Sequence, residues 1–165
     1  MKAILDTRMA IFALTCVFVP ITAQAAHPIV GTWRLVSWTT VETESKAVHN
    51  LFGEHPSGME TFTPDGWFFF IIIDPSRKPP AAPKTTDAEA AQLYRTMGAT
   101  AGRWRTDDNR WFISQEIVSS PAFVGTEAKG EFEIKGDRLE GKSDPFTSSL
   151  LGTQVFNQFV WERVK

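Results

Sequence analysis

With 165 residues, 19 acidic and 17 basic side chains and a formal charge of −2, the chain lacks the basic surplus that a nucleic-acid binder needs. Thirteen Phe and six Trp against a single Tyr suit an apolar interior better than a polar catalytic cleft. The one cysteine, Cys16, falls in a segment expected to be removed, so neither a disulfide nor thiol chemistry is expected of the remainder.

That segment opens the chain. Lys2 and Arg8 precede an apolar run from Ala10 to Pro20, and Ala23-Gln24-Ala25 supplies small residues for cleavage. These are the three regions of a secretory signal peptide, and the run falls short of the roughly 20 residues of a membrane span. The expectation is a signal peptide over 1–25, one domain over 26–165, and a periplasmic or secreted location. No later apolar run is long enough to span a bilayer, so no integral membrane insertion is expected.

Strand signals dominate the rest. Val30 to Thr43 is rich in Trp, Val, Leu and Thr, and Ser57 to Thr63 follows. Thr63-Pro64-Asp65-Gly66 makes a tight turn into Trp67-Phe68-Phe69-Phe70-Ile71-Ile72-Ile73, which is apolar on both faces. Either both faces of that strand are covered or the outer one meets another segment or a partner. Pro75, Pro79, Pro80 and Pro83 break the next stretch, and Thr86 or Asp87 caps a helix expected to run to about Met97. Strands then follow at Thr100 to Thr106, Arg110 to Val118, Ala128 to Lys135, Asp137 to Ser143 and Val155 to Val164.

The connections between these eight strands alternate. Those at Thr63 to Gly66, Asp107 to Asn109 and Lys135 to Asp137 are tight, and those at Ser45 to Pro56, Asp74 to Ala99, Ser119 to Glu127 and Asp144 to Gln154 are long. In an up-and-down meander alternate connections share an end. The expected fold is therefore all-β, an eight-stranded antiparallel up-and-down barrel with a closed base, an elaborated mouth, and one short helix over the open end. Eight strands enclose room for their own side chains or one small ligand. Glu131, Glu133 and Lys135 alternate with Phe132 and Ile134, so charge faces outward, unlike a membrane barrel. The same parity turns Trp104, Trp111, Ile113, Gln115, Leu139, Asn157, Phe159 and Trp161 inward, with Trp33 and Leu35 from the first strand.

Gly31-Thr32-Trp33 resembles the Gly-x-Trp motif of the lipocalins, in which a late Arg packs across the Trp at the closed base. Arg163 is the matching residue, so Gly31, Trp33, Trp161 and Arg163 are read as the barrel closure. Further blocks widen the likeness: Gly31 to Ser37, Gly53-Glu54-x-Pro56-x-Gly58 with Thr63 to Gly66, Val124 to Glu127, Gly136 to Leu139, and Trp161-Glu162-Arg163. On these the chain from about 29 to 164 resembles the bacterial lipocalin-like domain family, a lipocalin or calycin-type β-barrel. The resemblance implies a fold and a generic carrier role, but no reaction and no catalytic residue. Members of that family often carry histidines where this chain has Ile113-Ser114, which puts in doubt any function that rests on those histidines.

The chemistry read from the residues is sparse. His49, Glu54 and His55 share the first long loop without a register to gather them, and solvated loop residues are their default, so no metal is assigned. His27 is expected to be disordered. No nucleophile elbow, phosphate loop or metal-ligating motif is present, and no cofactor is implied. The first functional reading is a non-enzymatic binder of a small hydrophobic or amphipathic ligand. Its lining would be Trp104, Trp111, Ile113, Gln115, Phe132, Asn157 and Phe159, with Tyr94 and Met97 from the helix above. Gln115 and Asn157 either orient the ligand or pair with each other or with water. The alternatives are an isomerase or cyclase acting on an apolar substrate, with Gln115, Glu116 or Tyr94 as nominees, and a filled barrel acting through protein partners. Oligomeric state is left open.

Overall fold

In the computed structural model, which describes residues 27–165, ten strands and one α-helix follow one another. They are β1 (Gly31–Glu42), β2 (Val48–His49), β3 (Ser57–Phe62), β4 (Trp67–Ile73), α1 (Asp87–Arg95), β5 (Met97–Asp107), β6 (Arg110–Val118), β7 (Glu127–Lys135), β8 (Arg138–Ser143), β9 (Phe146–Thr147) and β10 (Gln154–Arg163). The eight long strands run β1-β3-β4-β5-β6-β7-β8-β10, and β10 returns to pair antiparallel with β1, closing the barrel. The two short strands, β2 on β1 and β9 on β10, lie within the long loops of the mouth and had no signal of their own in sequence. The expected leader over 1–25 lies outside the described residues.

Closure rests on the base. Trp33 is fully buried, its indole N–H donates to the Ile29 carbonyl at 2.8 Å, and the Arg163 guanidinium stands 4.1 Å above its ring. Arg163 also donates to the carbonyls of Val30 and Pro28, so one side chain holds the incoming segment across the barrel floor. Gly31 makes that approach possible: at φ 134° its missing Cβ would stand 2.7 Å from Arg163 Nη1. Ile29, 1% exposed, plugs the floor beside Trp161, Leu139 and Phe62. His27 is not loose as expected: its ring lies 6.0 Å from Trp104 and 6.4 Å from Phe132, and its Nδ1 accepts from the Ile29 N–H.

At the other end the helix is shorter than expected. Thr86 and Glu89 form a reciprocal capping box, and Glu89 also accepts from Ala81 N at 2.9 Å, anchoring the proline-rich stretch. The helix stops at Arg95, where the Thr96 hydroxyl donates to the Gln92 carbonyl. Met97 therefore belongs to β5, opposite Ile73: ladder pairing with β4 outcompetes another helical turn. No helix among the described residues is long and apolar enough to cross a membrane. The outer face of β7 and β8 carries the ion pairs Lys135–Glu133, Lys142–Glu131 and Arg138–Glu140.

The floor makes one outcome testable. Trp33→Ala removes a fully buried indole and the seat of Arg163, a loss of about 3–5 kcal/mol by analogy with other large core truncations. Thermal denaturation should show a melting point lower by roughly 10 °C. Affinity of the folded variant for a cavity ligand should stay within about threefold, since a closure element does not contact it. A variant that melts like the parent would place the closure elsewhere.

Candidate functional site

The barrel is not filled. Between floor and mouth lies a cavity of about 710 Å³, within the range of small-molecule sites. Aromatic rings are prominent in its wall. Trp38 stacks on Phe159 with centroids 5.4 Å apart, Phe70 lies 5.5 Å from Trp38, and Trp111 lies 6.2 Å from Phe159. Two glycines let these rings lie close to the sheet. A Cβ at Gly130 would stand 2.7 Å from the Trp111 ring and one at Gly141 would stand 2.5 Å from the Phe159 ring. Larger residues at either position would push the rings into the space that is now open.

Of the residues expected to line this space, Trp111, Ile113, Gln115, Phe132, Asn157 and Phe159 do so. Tyr94, from α1, and Met97, from β5 rather than the helix, join them near the mouth. Trp104 does not. It faces inward at the floor, below the cavity, where its indole N–H donates to the Thr63 carbonyl at 3.0 Å and its ring meets Phe62 edge-on. Gln115 and Asn157 do not pair with each other. Gln115 Nε2 donates to Thr126 Oγ1 at 2.9 Å, and Asn157 Oδ1 accepts from Thr40 Oγ1 at 2.8 Å.

Three of the wall residues that escaped sequence reasoning matter most, two of them hidden by one irregularity. In β1 a bulge between Leu35 and Ser37 shifts the pairing, so Trp33 and Leu35 face inward and so do Trp38 and Thr40. Simple alternation carried past Leu35 would have turned Trp38 outward. The third is Glu60. On β3, Gly58, Glu60 and Phe62 are buried, while Ser57 and Met59 are exposed. Glu60 is 7% exposed, lines the cavity, and stands opposite Trp33 on β1 and Phe70 on β4. Burial pushes its carboxyl well above the usual range, with no cation or hydrogen-bond donor among the described residues to hold it down.

The strand that could not be phased now has two distinct faces. Phe68, Phe70 and Ile72 point inward, whereas Phe69 and Ile71 point out and are half exposed, beside Met59 and Ile117. Trp67, also outward, is covered by the Arg103 guanidinium at 3.7 Å. In the first mouth loop His49 pairs with Glu42 at 2.9 Å, apart from His55 and Glu54, and no group of three metal-ligating side chains gathers among the described residues.

A closed eight-stranded antiparallel barrel, sealed by Arg over Trp at one end and hollow toward the other, has the architecture of a calycin-type barrel. Residues 30–164 match the family described as a lipocalin-like domain, and the chain belongs to that family. Among curated proteins, none matches the chain.

Glu60 sets a pH dependence whose sign is fixed. Because the folded state holds this proton more tightly than the unfolded chain, its burden on stability is absent below the ordinary carboxylate range. The burden then grows as pH rises from that range toward the raised folded value. Glu60→Gln should therefore melt higher than the parent at about pH 8, by several degrees, with the gap closing toward about pH 4. Melting curves of both proteins across that range decide it: a gap independent of pH would mean that the carboxyl is not desolvated.

Proposed function

We propose that this protein is an exported carrier that binds one small hydrophobic or amphipathic molecule in its barrel. The observation that carries the reading is the cavity of about 710 Å³ walled by Trp, Phe and Ile. Apolar burial at roughly 25 cal/mol per Å² supplies the driving force there, and the polar side chains of the wall are available to orient the ligand. The Tyr94 end of α1 lies at the mouth, where a ligand would enter. Export to the periplasm or beyond rests on the leader pattern of Lys2, Arg8, the apolar run and Ala23-Gln24-Ala25.

A second reading, an isomerase or cyclase acting on an apolar substrate, is favoured by one feature. Its earlier nominees are poorly placed: Gln115 is engaged with Thr126, Glu116 is exposed, and Tyr94 is 44% exposed at the mouth. Glu60 supplies instead a desolvated titratable group inside the cavity, which such a reaction requires. Turnover of a bound molecule, rather than its return unchanged, would distinguish the enzyme from the carrier.

Native mass spectrometry of protein purified from its host should reveal a co-purified small molecule, and N-terminal sequencing should begin at Ala26. The neutral fluorophore N-phenyl-1-naphthylamine should bind one per barrel with Kd of about 1–10 µM. Ala128 lines the wall opposite Ile113, so Ala128→Trp should fill the cavity and weaken the probe at least about tenfold while the barrel stays folded. Equal probe binding by the parent and the filled variant would defeat the cavity as the binding site.

A further inference from the structure

Glu60 is expensive where it stands. Glutamates on the outer face, Glu131, Glu133 and Glu140, each meet an Arg or Lys. Glu60 meets neither a cation nor a hydrogen-bond donor among the described residues, and it faces a wall of rings. Gln or Leu would satisfy the alternation of β3 equally well and without a desolvated carboxyl. A side chain that violates the local rule without structural compensation marks a place where the fold is serving a ligand.

The surroundings say which ligand. The other charged groups at the wall are Glu127, Lys129 and Asp144. Glu127 is engaged by Arg105 at 3.0 Å and Asp144 by Arg110 at 2.6 Å, while Lys129 is exposed. A fatty-acid carboxylate entering this space would meet Glu60 and no interior cation. A positive head group would meet a carboxylate partner, with the rings of Trp38, Phe70 and Phe159 lining the same space. Phe70 is both the cross-strand partner of Glu60 and a neighbour of Trp38, so the carboxyl and the rings belong to one patch of the wall.

We propose that Glu60 is the counter-ion for an organic ammonium group, and that the cavity selects apolar amines over neutral or anionic molecules with the same hydrocarbon body. This rests on the binding function proposed above and names its ligand class. Pairing in a dry interior makes the ion pair stronger than on the surface, and the arriving cation relieves the carboxyl of its isolation. Burial without a partner raises the carboxyl's pKa, so the empty cavity disfavours the charge that an arriving ammonium would stabilise.

Decylamine, decanol and decanoate, each displacing N-phenyl-1-naphthylamine at neutral pH, separate the possibilities. The parent protein should bind decylamine at least about tenfold tighter than decanol, with decanoate weakest. Glu60→Gln keeps the shape and hydrogen bonding but not the charge. It should weaken decylamine about 10–100-fold, leave decanol within about threefold, and so abolish the preference. Decanol bound as tightly as decylamine by the parent, or a preference surviving in the variant, overturns the counter-ion while leaving a carrier of neutral ligands intact. If neither the fluorophore nor any of the three enters the parent barrel, the binding function falls and this inference with it. The parent comparison of amine with alcohol stands even if the variant fails to fold.

Discussion

The packing of Arg163 over Trp33 is the constraint from which the rest of this barrel follows. It joins the first strand to the last at the register Trp33 opposite Arg163, and it draws the segment before β1 across the floor. A cation over an indole contributes about 0.5–2 kcal/mol, but its place matters more than its size. A sheet that closes on itself has no free edge, and one sealed end lets the other be irregular without loss of the fold. The long loops, the short strands β2 and β9, and the helix all gather at that other end.

Against this rigid floor the middle of the barrel has been kept open by deliberate departures from regularity. Gly130 and Gly141 let Trp111 and Phe159 lie flat on the wall, and the bulge after Leu35 brings Trp38 round to face them. The result combines rings, two threonine-held amides and one unpaired carboxyl. Each choice sacrifices some packing that a filled barrel would have, and Glu60 adds a desolvation burden. Such sacrifices are concentrated in the cavity, whereas the floor is conventionally packed and the outer face of β7 and β8 is conventionally charged.

Much of the fold was legible in the residues. Strand positions followed from β-branched and aromatic runs, the Arg163–Trp33 closure from the resemblance to the lipocalin motif, and the two ends from the alternation of tight turns with long loops. Strands with clean alternation, such as Glu131 to Lys135, also declared their inner faces. The strand Trp67 to Ile73 did not, because apolar residues on both faces erase the period. Its half-exposed Phe69 and Ile71 become visible as an outer patch only once neighbouring strands fix the register. Trp104 was placed on the correct face but at the wrong depth, since parity says nothing about height along the barrel axis.

The cavity divides along the same line. Side-chain period and turn chemistry are local, so the sequence by itself determined an eight-stranded cup, its closed base and part of its apolar lining. Whether the cup was hollow depended on glycines meeting rings from neighbouring strands. Which residues faced it depended on a bulge, and the meaning of Glu60 depended on burial without a partner. Those are relations between segments distant in the chain, and a glutamate in a strand reads as a solvated charge until the wall around it is known. Only the tertiary structure could turn Glu60 from an ordinary surface residue into a buried carboxyl at the cavity wall with no ion-pair partner among the described residues.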